Sequence, residues 1–132
     1  MAVAGLCALL GACATPAQAP ANSPGAWQLA SIGDRPADGA AGVVDPGYAR
    51  HADGNGGCNS FGGQYEAQRD TLTFSHMIST MMACAGPNGD VMTQERAMMS
   101  ILNGPVRASV EGDTLALTAI DGRTLHFRRA AQ

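Results

Sequence analysis

The stretch VRASVEGDTLALTAIDGRTLHFR, residues 106–128, decides the architecture. Apolar and polar residues alternate through three runs, 106–110, 114–119 and 123–128, as they do in strands with one buried face. Leu115, Leu117, Leu125 and Phe127 fall on the inward side, and His126 alternates outward. Glu111-Gly112-Asp113 and Asp121-Gly122 separate the runs. Asp-Gly supplies the positive φ that a tight hairpin turn needs. The stretch is therefore an antiparallel meander.

Upstream of it, residues 90–102 carry apolar residues at helical spacing. Val91, Met98 and Leu102 share a face flanked by Met92, Met99 and Ile101. Asn88 or Asp90 can cap the start, and Gly104-Pro105 ends the helix. Residues 71–75 alternate again, with Leu72 and Phe74 inward. Residues 27–32 do the same with Trp27 and Leu29. Between these runs the signal weakens. Residues 33–42 read as loop, 43–44 as a short strand and Asp45-Pro46-Gly47 as a turn. Residues 48–51 read as a strand closed by a Gly-rich turn at 53–57. Many strands with one late helix imply an α+β domain: a strongly bent, mostly antiparallel sheet, a partial barrel, packed against one helix.

The 132 residues suffice for one domain. The formal charge is −3, and all eight basic residues are arginines interspersed with acids. Nucleic-acid binding needs a clustered positive face and is excluded as an expectation. Seven methionines against few aromatics imply a core that fills its gaps with flexible side chains.

The amino terminus reads as an address. Residues 2–12 contain only Ala, Val, Gly, Leu and Cys, the length of a signal-peptide apolar region and too short to span a bilayer. The run ends in Leu10-Gly11-Ala12-Cys13, which resembles the lipobox of bacterial lipoproteins. That resemblance implies lipidation of Cys13 and removal of the preceding residues, Cys7 among them. Ala14 after the cysteine resembles the outer-membrane class, with the domain facing the periplasm. Residues 14–25, with Pro16, Pro20 and Pro24, make a semi-extended tether. The organisation is thus a signal and lipobox at 1–13, a tether at 14–25 and a folded domain at 26–129.

Two further segments stand out: Gly57-Cys58-Asn59-Ser60-Phe61-Gly62-Gly63-Gln64-Tyr65, and Ser79-Thr80-Met81-Met82-Ala83-Cys84. With Trp27-Gln28-Leu29 upstream and the helix and strands downstream, they resemble the META domain family, the HslJ-like proteins. The positions that match its motifs are Gly57, Cys58, Asn59, Phe61, Gly63, Tyr65, Thr80, Met82 and Cys84. The resemblance implies an envelope protein associated with heat shock, stress and novobiocin resistance. It implies no catalytic residues and no cofactor.

With Cys13 lipidated, Cys58 and Cys84 remain. Two thiols in an oxidising compartment tend to pair, which makes a structural disulfide the expectation. The alternatives are two unpaired buried thiols, or a redox-active pair for which Cys-x-x-Cys spacing is missing. His76, Met77, Met81, Met82 and Cys84 are soft or borderline ligands within nine residues, so copper binding is an alternative to plain Met-rich packing. The helix-face placement of Met98 favours packing. No Gly-x-Ser-x-Gly is present, and His51, His76 and His126 are dispersed. Asp45, Asp53, Glu111 and Asp113 fall in turns. Asp53 with Asn55 lacks the glutamate that completes a calcium loop. Asn59, among glycines, is expected to hold its own turn.

These readings imply a non-enzymatic envelope lipoprotein acting as a binding or structural module on an envelope protein. A small-ligand or metal binder using the region around 76–84 is the alternative. A pocket with inward polar groups would favour the ligand; a closed apolar core with an exposed apolar patch would favour a protein partner.

Overall fold

A computed structural model describes residues 25–45, 50–84 and 90–130. Cys7, Cys13, most of the tether, Tyr48 and the cap at Asn88 lie outside them. The elements are β1 (Gly25–Ile32), β2 (Arg35–Pro36), β3 (Gly42–Asp45), β4 (His51–Asn55), β5 (Ser60–Gln68), β6 (Thr71–Ser79), α1 (Asp90–Leu102), β7 (Val106–Glu111), β8 (Thr114–Ala119) and β9 (Thr124–Arg129).

All pairings are antiparallel, in the order β2-β1-β3-β4-β5-β6-β7-β8-β9, and β1 also pairs with β9. The α+β expectation holds, but the sheet is not a partial barrel. Eight strands close a ring from β1 through β3 to β9, and two-residue β2 hangs on the end of β1. Closure follows from β1, whose two edges are both used: Trp27 pairs with Val43 on one side and with Arg129 on the other. A closed ring leaves no free sheet edge at that seam.

The meander forms as its alternation requires. Leu125 and Phe127 of β9, and Leu115 and Leu117 of β8, are all buried. Both turns take positive φ at glycine, 57° at Gly112 and 89° at Gly122. At the second turn the Arg123 backbone N–H, 3.1 Å from Asp121 Oδ1, and its guanidinium hold the Asp121 carboxyl below the usual carboxylate range.

The other strands fill the same interior with Trp27, Leu29, Ala52, Phe61, Tyr65, Leu72, Val106 and Ala108. α1 lies across one mouth of the barrel and adds Met98, Ile101 and Leu102, each no more than 1% exposed. Val91, expected on that face, is only half-buried. The helix meets three loops of this mouth. Gln94 bonds the main chain of Asp38 and Gly56, Glu95 reaches the β4–β5 loop, and Arg123 of the β8–β9 turn donates to Ser100 Oγ at 3.1 Å. The opposite mouth holds Gly25, the β5–β6 turn and the β7–β8 turn, where Arg129 stacks on Trp27 with its guanidinium 4.3 Å from the ring centroid.

The strand expected at 48–51 runs instead over His51–Asn55, so Asp53 and Gly54 are ladder residues and not a turn. Gly54 faces inward, and the Phe61 ring occupies the space its side chain would take. A Cβ there would also sit 2.7 Å from the Gly42 carbonyl oxygen, which cannot rotate away. Gly54→Ala is therefore expected to cost about 2 kcal/mol by overpacking. Urea denaturation of the two proteins measures it, and an unchanged midpoint would contradict this packing.

β6 extends to Ser79, beyond the expected 71–75. His76, at φ 52°, and Met77 stand opposite Gly63 alone, which makes a β-bulge between the Gln64–Ser75 and Gly62–Ile78 pairs. A Cβ at position 63 would meet the Met77 sulfur and lie 3.1 Å from the Ser75 carbonyl oxygen, so glycine leaves room for both. β6 and β7 share only two pairs, Thr71–Arg107 and Leu72–Val106. The remainder of β6, from Thr73 to Ser79, pairs on one side only among the described residues.

Candidate functional site

The two motif segments meet at the mouth that α1 covers. Residues 56–59 turn from β4 into β5, and residues 80–84 leave β6 alongside them. Asn55 makes the turn: its Oδ1 accepts from the Gly57 N–H at 2.7 Å, and Gly57 takes φ 119°. The side chain expected to do this, Asn59, does something else. It is 4% exposed and crosses to the second segment.

Asn59 Oδ1 accepts from the Met82 N–H at 2.6 Å and from the Thr80 hydroxyl at 2.9 Å. Its Nδ2 donates to the Met82 carbonyl at 3.1 Å and to Glu95 Oε1 at 2.7 Å. One side-chain amide thus substitutes for a strand, bonding both main-chain groups of Met82. Thr80 Oγ1 in turn accepts from the Ser60 N–H at 3.1 Å.

Glu95 completes the network. It is 7% exposed on the inward face of α1, four residues after Val91 and three before Met98. Its Oε2 accepts from the Asn59 N–H at 2.6 Å and the Cys58 N–H at 3.2 Å. Gly56 lies under the same side chain, whose Cβ is 2.8 Å from where a Gly56 Cβ would stand. With three N–H donors, both oxygens of this buried carboxyl group have hydrogen-bond partners from the protein itself. The sequence reading passed over Glu95. An acid inside an apolar helical stripe was the available signal.

Cys58 and Cys84 form a disulfide with Cα atoms 5.9 Å apart, as the cysteine count implied. The unpaired-thiol alternative gives way to this arrangement. The nine motif positions divide into three tasks. Phe61 and Tyr65 pack in the core, and Gly57 and Gly63 make room for neighbours. Cys58, Asn59, Thr80, Met82 and Cys84 tie the two segments together.

The set considered for copper is dispersed. Cys84 is in the disulfide, Met77 packs against the core, and His76 is exposed on the bulge. Met81 is 96% exposed. Among the described residues no group of three His, Cys, Asp or Glu side chains converges. His51 and Asp53 pair at 3.0 Å on the outer face of β4, and His126 is exposed on β9.

The barrel interior holds a void of about 40 Å³ lined by Trp27, Phe61, Tyr65, Phe74, Met77 and Leu102. Ligand pockets run to roughly 300 Å³ and more, so this void is a packing defect in scale. Larger depressions, about 480 Å³ beside β1, β3 and β4 and about 410 Å³ beside β1, β8 and β9, are open grooves on the outer surface. The mouth bearing the network has a different character. Ile78, Met81 and Met82 are 74%, 96% and 57% exposed there. They are three of the four exposed large apolar side chains among the described residues, the other being Ile120.

A family model described as META domain matches residues 22–132. Among curated proteins no sequence match is found. Among solved structures, the fold is similar to an NMR structure of a protein from Burkholderia xenovorans, with a TM-score of 0.66 and 24% identity over 84% of this chain and 85% of that one. A second NMR structure is similar with a TM-score of 0.65 and 19% identity, covering 80% of this chain and 88% of the other. At these identities the likeness concerns the fold alone.

Proposed function

The chain belongs to the META domain family, and on that basis we propose that it is a non-enzymatic lipoprotein of the cell envelope whose domain binds a protein partner. The observation that carries the reading is the apolar mouth. A buried amide, a buried carboxylate and a disulfide all hold residues 80–84 in place, yet Met81 and Met82 on that segment face solvent. A polar network fixed at that cost in desolvation orders a surface before any partner arrives, which lowers the entropy lost on binding. Methionine adapts its shape to an apolar partner and is enriched in interfaces. The interior void is too small for a ligand of ordinary size, which weighs against the small-ligand alternative.

The envelope part of the proposal rests on Leu10-Gly11-Ala12-Cys13 and the tether behind it. With Cys13 lipidated, the domain stands off the periplasmic face of the outer membrane, in an oxidising compartment where the Cys58–Cys84 disulfide persists. The family association with stress gives the process in which such a module serves.

Fractionation tests the anchor. The wild-type chain is expected in the membrane fraction, with the lipid on Cys13 in its mass spectrum, and Cys13→Ala is expected to lose both. A wild-type chain recovered wholly in the soluble fraction would overturn the lipoprotein reading.

A further inference from the structure

We propose that Met81 is a modification site, where a hydroperoxide converts the thioether to a sulfoxide and turns the apolar mouth polar while the barrel stays folded. The chemistry stands on the geometry alone. Its consequence, control of what docks there, rests on reading the mouth as a binding surface.

The fold sorts the methionines. Of the seven, six lie in the described residues. Met98 is 0% exposed, and Met77 packs against the core with its sulfur where a Gly63 Cβ would stand. Met92 and Met99 on α1 are half-buried. Met82 is 57% exposed and Met81 96%. Sulfoxide forms only where the oxidant reaches sulfur, so access sets the order of reaction. Met81 comes first, Met82 second, and Met77 and Met98 last.

The residues on either side hold Met81 in place. The Thr80 N–H donates to the Ser60 carbonyl at 2.9 Å, and the Met82 N–H donates to Asn59 Oδ1 at 2.6 Å. The Cys58–Cys84 disulfide ties the same segment two residues farther on. With both neighbours tied to residues 59 and 60, the main chain at Met81 is fixed while its side chain stands in solvent. The bonds that hold the segment run to Thr80 and to the Met82 main chain, so an oxygen added to the Met81 sulfur leaves them intact. The same oxygen on Met77 or Met98 would enter the packed interior.

The step balances with the hydroperoxide alone. A sulfur lone pair attacks one peroxide oxygen, the S–O bond forms and the O–O bond breaks. Sulfur loses two electrons, and the departing oxygen takes the proton from the transferred hydroxyl and leaves as water or an alcohol. The product is polar where the thioether was apolar. Ile78, Met81 and Met82 are three of the four exposed large apolar side chains among the described residues, so one such event changes the character of the mouth.

Hydrogen peroxide titration of the chain from position 13 onward, carrying Cys13→Ser to keep it free of lipid, tests the proposal. Peptide mass mapping follows sulfoxide at each methionine with time. In the folded protein Met81 is expected to react at least about tenfold faster than Met77 or Met98, and the rates are expected to converge in urea that unfolds the chain. Protein oxidised at Met81 alone is expected to melt within about 3 °C of the untreated chain and to leave a phenyl matrix earlier. Met81→Leu keeps the mouth apolar, so its retention is expected to hold at the peroxide dose that shifts the wild type. Met77 or Met98 reacting as fast as Met81 in the folded chain overturns the proposal. So does a larger fall in Tm on Met81 oxidation, or retention that full conversion of Met81 does not move. The oxidation map needs no partner, so this chemistry and the binding reading can fail separately.

Discussion

Glu95→Ala is expected to lower the free energy of unfolding by about 3 to 5 kcal/mol. The carboxylate serves three donors at once: the N–H groups of Cys58 and Asn59 and the Nδ2 of Asn59. Each donor left unmet in a buried place costs about 1 to 3 kcal/mol, and alanine leaves all three. Solvent reaching the gap recovers part of the loss, which sets the range below the simple sum. Asn59→Asp probes the same node from the other side. It puts a second carboxylate where Nδ2 meets Glu95 Oε1 at 2.7 Å, so two acceptors face each other and destabilisation of similar size is expected. Urea unfolding with an unchanged m-value measures both. A loss under about 1 kcal/mol for Glu95→Ala would show that the helix and the motif loop are not coupled through this carboxylate.

Reduction of the Cys58–Cys84 disulfide is expected to have an effect of comparable size. The bond closes a loop of sequence separation 26, which in the chain-entropy model stabilises by about 3 to 4 kcal/mol. In a domain of this size that is a large share of the total and corresponds to a fall in Tm on the order of 15 °C or more. The loss is a property of the unfolded chain as much as of the fold. The double variant Cys58→Ala, Cys84→Ala should therefore melt near the reduced wild type, with a small further loss from the buried side-chain volume. Thermal melts with and without a thiol reductant decide it. Coincident curves would mean that the cross-link constrains nothing that unfolding releases.

These two expectations meet in one place, and they bear on what a sequence can disclose. The C-terminal meander was legible because its alternation and its two glycine turns are local, and Leu115, Leu117, Leu125 and Phe127 all face inward as read. The helix was legible to the residue because Gly104-Pro105 forbids its continuation. β4 was displaced in the reading for a tertiary reason. Its inward residues are Ala52 and Gly54, and the volume there comes from Phe61 on the neighbouring strand. The second half of β6 was hidden by the bulge, which sets the inward residues Phe74 and Met77 three apart and breaks the two-residue period.

The site was half legible. The motif residues and the cysteine pair could be named from spacing, but the object of Asn59 could not. A short polar side chain among glycines reads as turn chemistry until its distant partners, Met82 and Glu95, are in place. Closure of the ring was illegible for a similar reason. The β1–β9 pairs join Trp27 to Arg129 and Leu29 to Phe127, and no local pattern announces a partner about a hundred residues away.

That last seam sets a schedule. The strand that completes the ring is the last among the described residues, and its partner is the first. As the polypeptide emerges from a ribosome, β1 arrives early and lacks one neighbour until β9 follows. Contacts between such distant residues repay their loop-closure entropy only when made, so the seam adds its share of stability only once β9 is in place. A nascent chain cut short of Thr124 lacks the strand that closes the seam.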